Sequence, residues 1–208
     1  MGKVVILKHP LILHKLSIIR DKNTSCKEFR ENVSEVGTLI TYEVTRTLKL
    51  KEKKVETPIS KTTCYELAND IVIVPILRAG LCMVEGMHNL IPSAKIGHIG
   101  LYRDEKTLNP VVYYAKFPKE IKNATVILVD PMLATGNSAV KAIEILKEKA
   151  PKEIIYVGLV GCDEGINNIQ KHFDDVDIYL ADKDKKLNKD GYIVPGLGDC
   201  GDRIFGTK

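Results

Sequence analysis

The chain has 208 residues, of which 44% are apolar, enough to bury the core of one ordinary domain. Its 31 basic residues are balanced by 27 acidic ones dispersed among them, so the formal charge of +4 does not point to nucleic acid. The five cysteines, at 26, 64, 82, 162 and 200, form no Cys-x-x-Cys pair and lack nearby His partners, which argues against a disulfide framework or a zinc site.

The first elements are helical. After a short leading strand, Pro10 to Arg20 reads as a helix with proline in its tolerated early position. Ser25-Cys-Lys-Glu28 is a capping box, and the helix it starts carries Phe29, Val33, Val36, Leu39, Ile40 and Val44 on one face. Lys51 to Leu67 is richer in charge, Thr and Pro, and reads as an irregular arm or a pair of strands. From Ile71 onward strand and helix alternate: Ile71 to Leu77, a helix over Leu81 to Leu90, Ala94 to Leu101, Val111 to Tyr114, Thr125 to Val129, a helix after Ser138, and Ile154 to Val160. Glu164 to Phe173 and Asp177 to Ala181 add one more helix and strand before a glycine-rich tail. This alternation predicts an α/β fold whose parallel central sheet is flanked by helices, in a single domain spanning 1–208.

Candidate ligand groups fall where such sheets bind ligands, beyond the carboxyl ends of the strands. The buried strand Thr125 to Val129 runs into Asp130, then Pro131-Met-Leu-Ala134, then Thr135-Gly-Asn-Ser138 at a helix entry. The free N–H groups and positive dipole end of that helix attract an anion, and Thr135 and Ser138 add hydroxyl donors. No lysine follows the glycine, so this is not a Walker A loop. Val74-Pro-Ile-Leu-Arg78-Ala-Gly80 ends another buried strand with an arginine beside a small-residue turn; Gly80 is read as admitting an anion close to the backbone and Arg78 as holding it. Tyr102-Arg103-Asp-Glu opens a polar stretch ending at Asn109-Pro110, suited to a loop that closes over a ligand. In the tail, Gly196-Leu-Gly-Asp-Cys-Gly201 is a literal Gly-x-Gly-x-x-Gly, but a dinucleotide fingerprint needs a helix and a returning strand, for which residues 202–208 are too few. His9, His14, His88, His98 and His172 are scattered, and Lys183 to Lys189 reads as a solvated turn.

The segment from Asp130 to Ser138 resembles the phosphoribosyl diphosphate (PRPP) motif of type I phosphoribosyltransferases. Most members of that group carry two adjacent acidic residues; Pro131 occupies the second place here, and Asp-Pro-Met-Leu-Ala-Thr-Gly resembles the uracil phosphoribosyltransferase version. Asn137 stands where a second glycine is usual and Cys200 where alanine is common; Asn137 is expected to survive there because asparagine tolerates unusual backbone angles. The resemblance implies PRPP contacts from Arg78, Arg103, the stretch Asp130, Pro131, Met132, Leu133, Ala134, Thr135, Gly136, Asn137 and Ser138, and Asp199. It implies a uracil pocket in tail residues 191–208, a C-terminal hood in which Ile193, Gly198, Asp199 and Cys200 read the base. Catalytic roles then fall to Arg78, Arg103, Asp130 and Asp199, and the cofactor implied is Mg²⁺, held mainly by PRPP, with Asp199 acting either by its charge or as a candidate Mg²⁺ ligand. No residue stands out as a base for uracil N1.

The resemblance further implies uracil and PRPP as substrates, GTP as a candidate effector, a homodimer or homotetramer, and no nucleic-acid or membrane partner. The opening Met1 to Lys8 is too short for a signal peptide and no apolar run is long enough to span a bilayer, so a reducing cytoplasm is the expected location. Two rivals share the fold. A pyrimidine-responsive RNA-binding regulator calls for a concentrated basic face and lacks the uracil-type tail; a phosphoribosyltransferase for purines keeps the acidic residue that Pro131 replaces.

Overall fold

The computed structural model describes residues 1–103 and 110–207. In chain order the elements are β1 (Val4–Ile6), α1 (Pro10–Arg20), α2 (Cys26–Thr45), β2 (Leu50–Glu56), β3 (Lys61–Leu67), β4 (Ile71–Leu77), α3 (Leu81–Leu90), β5 (Lys95–Ile96), β6 (His98–Arg103) and β7 (Pro110–Lys116). They continue, after a 3₁₀ turn at Lys119–Ile121, with β8 (Thr125–Val129), β9 (Met132–Leu133), α4 (Asn137–Lys147), β10 (Glu153–Gly161), α5 (Asp163–His172), β11 (Asp177–Lys183), β12 (Lys186–Leu187), β13 (Ile193–Val194) and α6 (Cys200–Phe205).

The main sheet runs β1-β11-β10-β8-β4-β6-β7, with β5 beside β4 and β9 beside β10. Every described pair in it is parallel except β6 with β7, which is antiparallel with a register shift between Gly100 and Leu101. The expected parallel sheet thus gains an antiparallel edge, and the physical reason is exposure: β7 is half-buried at best, and an edge strand with one open side needs no covering crossover helix.

Alternation along the central strands divides the core in two. Ile73, Ile127 and Ile155 face the layer of α1, α2 and α3, whereas Val72, Val126 and Ile154 face α4 and α5. β4 and β8 are buried along almost their whole length, which is why they read as continuous apolar runs. The Ser25 capping box forms as expected, with the side chain accepting from the Glu28 N–H and Glu28 reaching back to the Ser25 N–H. The Lys51 to Leu67 arm resolves into an antiparallel hairpin, β2 with β3, exposed on both faces.

Two local expectations fail. Ala150, which continues the helical spacing of Ala139, Ile143 and Leu146 in the sequence, lies beyond α4 with φ +52°. The lysine-rich turn at 183–189 contains β12 and a buried carboxylate, Asp184, that Arg20 holds from across the fold.

Candidate active site

Asp130 follows β8 directly and is fixed through its main chain. Its N–H donates to the Val157 carbonyl at 3.1 Å, and its own carbonyl accepts from the Tyr156 hydroxyl at 3.1 Å. Its carboxyl group is pushed up to about 7 by burial, against which a single main-chain N–H from Met132 pulls weakly. The group is thus poised near neutrality, where a ligand offering hydroxyl donors or a cation decides its charge.

The loop beyond it is tied down from behind. The Pro131 carbonyl accepts from the N–H groups of Leu159 and Val160 at 3.0 and 3.1 Å, and the Leu133 carbonyl accepts from Cys162 N–H at 3.1 Å. Asn168 on α5 donates to the Thr135 carbonyl at 2.8 Å and to Asn137 Oδ1 at 2.9 Å. With its carbonyls spent on β10 and α5, the loop is free to turn N–H groups toward the start of α4. Gly136 makes the turn with φ +80°, a conformation that favours glycine, and a Cβ on it sits 2.8 Å from the Gly165 carbonyl. Asn137 is the first helical residue and needs no unusual backbone angle, so the tolerance expected of it comes from Gly136 instead.

This loop encloses a hollow of about 60 Å³ lined by Asp130, Met132, Leu133, Ala134, Thr135, Gly136, Ser138 and Ala139. Pro131 and Asn137, grouped with them in the sequence, lie outside that lining: Pro131 is buried behind the loop and Asn137 turns to Asn168. A larger cavity of about 320 Å³ adjoins it, walled by Ala79, Asp130, Met132 and Ala134 on one side and by Asp190, Gly191, Tyr192, Ile193, Gly198, Asp199, Cys200 and Gly201 on the other. The structure therefore brings the four tail residues Ile193, Gly198, Asp199 and Cys200 to the same cavity as Asp130.

The tail wall is held by arginines reaching main-chain oxygens. Arg203, stacked over the Phe29 ring at 4.3 Å, donates to the Ile19, Leu197 and Asp21 carbonyls, and Arg30 donates to the Ile204 carbonyl. Asp199 caps α6 by accepting from the Asp202 N–H at 3.0 Å, which makes Cys200 the first helical residue. Contact with the Cys82 thiol and burial push the Cys200 thiol well above its ordinary value, so it stays neutral.

Arg78 borders this cavity without lining it; its side chain is 57% exposed, with the guanidinium 3.7 Å from Asp202 and over the Phe205 ring at 5.5 Å. Gly80 has a packing reason rather than an anion-binding one: its N–H donates to the Ile76 carbonyl at 2.9 Å, and a Cβ on it meets the Val129 carbonyl at 2.5 Å. Arg103 ends β6 in register with Pro110, and the loop expected to close over the ligand, Asp104 to Asn109, lies outside the described residues. Sequence reasoning passed over Ala79, Asp190 and the supports Gly165 and Asn168. Only Gly165 carried a signal, as a glycine inside a helical pattern.

Residues 5–207 match the family model described as uracil phosphoribosyltransferase. The chain belongs to that family. It is 64% identical over 208 residues to the uracil phosphoribosyltransferase of Acholeplasma laidlawii, with all of both chains covered. It is 60% identical over 209 aligned positions to that of Clostridium perfringens, again over the full length of each. Among solved structures, the AQ2163 protein of Aquifex aeolicus superposes with a TM-score of 0.93 at 38% identity, covering 99% of both chains. A hypoxanthine-guanine phosphoribosyltransferase of Bacillus anthracis covers 76% of this chain and 80% of its own with a TM-score of 0.54 at 14% identity, a likeness of fold alone. The expected type I phosphoribosyltransferase fold is borne out.

Proposed function

We propose that the chain joins uracil to PRPP at the anomeric carbon, releasing uridine 5′-monophosphate and pyrophosphate, with the whole of 1–208 acting as one phosphoribosyltransferase domain. The observation that carries the assignment of residues is that Asp130 lines both hollows at once. A sugar held by that carboxylate has its 5′-phosphate toward the loop and its anomeric carbon toward the tail.

In this reading Asp130 accepts the ribose 2′ and 3′ hydroxyls, while the N–H groups of 134–138 and the Thr135 and Ser138 hydroxyls hold the 5′-phosphate. Main-chain groups of Ile193, Gly198, Asp199 and Cys200 meet the uracil edge. Displacement passes through a sugar with oxocarbenium character, so the site has to align base and leaving group and stabilise charge. Asp130, once ionised, offsets the positive ring, and the charges of Arg78 and Arg103 are assigned to the departing pyrophosphate.

Among the described residues no three His, Cys, Asp or Glu side chains cluster as a metal cage. The cavity nevertheless carries the carboxylates of Asp130 and Asp199, a donor set that fits a Mg²⁺ held mainly by diphosphate oxygens and water. When bound, Mg²⁺ neutralises part of the diphosphate charge.

Among the described residues no helix is long and apolar enough to cross a membrane, and all five cysteines are free thiols, both in keeping with a cytoplasmic location. GTP regulation and a homodimer or homotetramer extend the reading from family membership alone; sedimentation with and without GTP tests both. The reaction itself is tested by incubating the protein with PRPP, Mg²⁺ and single bases. Stoichiometric nucleotide and pyrophosphate are expected from uracil, and nucleotide formation only from purines would overturn the proposal.

A further inference from the structure

Arg20 closes α1, and its guanidinium joins the end of β11 and the turn after it to the tail. One nitrogen, Nη1, donates to Asp184 Oδ2 at 2.8 Å and to the Gly196 carbonyl at 2.7 Å. The other, Nη2, donates to Asp184 Oδ1 and Asp182 Oδ2, both at 2.9 Å. Asp184 is 6% exposed, and its Oδ2 also accepts the Gly196 N–H at 3.0 Å. Both main-chain groups of Gly196 are therefore committed to one buried ion pair.

Gly196 is the residue at which the tail reverses, with φ +64° and a Cβ position 2.2 Å from the Ile193 carbonyl. Ile193 and Gly198, either side of this turn, both face the larger cavity. A pocket that recognises a flat ligand through main-chain groups has no side chain to adjust, so its selectivity depends on where the backbone is held. A guanidinium suits this task because its rigid fork serves two carboxylates and a carbonyl together, which a lysine ammonium on a flexible stem does not.

We propose that Arg20 is a positioning residue for the base: through Asp184 and Gly196 it sets the shape of the Ile193 to Gly198 wall and thereby the affinity for uracil. This rests on the base site proposed above. It predicts an effect confined to one substrate, since the loop that receives PRPP is held by β10 and α5 and shares none of these contacts.

The test is Arg20→Lys in the full chain, which keeps the charge beside Asp184 and loses the fork. The KM for uracil is expected to rise tenfold or more while the KM for PRPP stays within twofold. Amide hydrogen exchange at Gly196, whose N–H the clamp holds, should quicken at least tenfold, with β8 amides unchanged. Should the lysine variant not fold, Asp182→Asn removes only the more exposed arm and should move the same quantities in the same direction, by about threefold. Unchanged exchange at Gly196, or a proportional loss for both substrates, overturns the proposal. If exchange quickens but the wild-type protein makes no nucleotide from uracil, the clamp on the tail stands, its assignment to uracil falls, and the error lies in the base assignment.

Discussion

The Tyr156 hydroxyl donates to the Asp130 carbonyl at 3.1 Å, so the residue that follows β8 is held by the neighbouring strand through its main chain, leaving its carboxylate to the cavity. Tyr156 is fully buried, which makes this a rigid mount rather than an exchangeable surface contact.

The charge on that carboxylate governs what binds to it. Hydroxyl donors prefer its ionised form, so PRPP binding should drive ionisation of a group whose free value is about 7. Below pH 7 the affinity of the wild-type protein for PRPP should fall about tenfold per pH unit relative to Asp130→Asn, and above it the ratio should be flat. At pH 8 the Asn variant should bind PRPP about 10- to 100-fold more weakly. Calorimetric titration of both proteins across pH 5.5 to 8.5 measures the ratio, in which the ligand's own ionisation cancels.

The same group affects stability with the opposite preference. The folded chain keeps its proton up to about pH 7, whereas an unfolded aspartate loses it near 4. Between those values the folded state binds more protons, so this residue's contribution falls as pH rises. Asp130→Asn should therefore be more stable than wild type at pH 8, by on the order of 2 to 4 kcal/mol, with the difference vanishing near pH 4. Denaturant titrations at the two pH values check it.

Cys200 separates side chain from main chain. As the first residue of α6 it can become proline without losing a helical hydrogen bond, and Asp199 before it is already extended, with φ −77° and ψ 109°. Cys200→Ala should leave uracil binding within about threefold and cost about 1 kcal/mol of stability. Cys200→Pro should fold and lose uracil binding, measured by equilibrium dialysis, because it lacks the N–H.

Gly165→Ala places a methyl group 2.5 Å from the Ala134 carbonyl and 2.8 Å from the Leu133 side chain. Alanine is the better helix former, so propensity alone favours the variant by about 1 kcal/mol. The clash instead pushes the loop, and the KM for PRPP should rise at least tenfold with little change for uracil. Steady-state kinetics with each substrate varied in turn distinguishes the two effects.

Arg78→Ala and Arg103→Ala each remove a cation proposed to face pyrophosphate. A lost donor of this kind costs about 3 kcal/mol of transition-state stabilisation, so kcat should drop by about a hundredfold in each. Variants altered only in uracil affinity would remove both arginines from that role.

Much of this was legible because it is local. The capping box at Ser25, the bounds of β4 and β8 and the placing of Asp130 at a strand end follow from patterns a few residues long. What escaped depends on partners distant in sequence. Asp184 sits in a run of lysines that reads as solvent, and only Arg20, 164 residues away, explains its burial. Gly80 suggests an anion loop until the Val129 carbonyl appears beneath it. Val111 to Tyr114 is apolar enough to pass for another parallel strand, and nothing in its composition marks it as an antiparallel edge.

The arginines that hold the tail answer mostly to neutral main-chain oxygens, and the carboxylate that Arg20 grips with both terminal nitrogens, Asp184, is buried. Ionic strength weakens exposed charge pairs far more than buried ones. The two halves of the cavity thus differ in their sensitivity to the medium: an anionic ligand at the loop senses dissolved salt, while the tail wall keeps its form. A change in ionic strength tunes one side of the site without retuning the other.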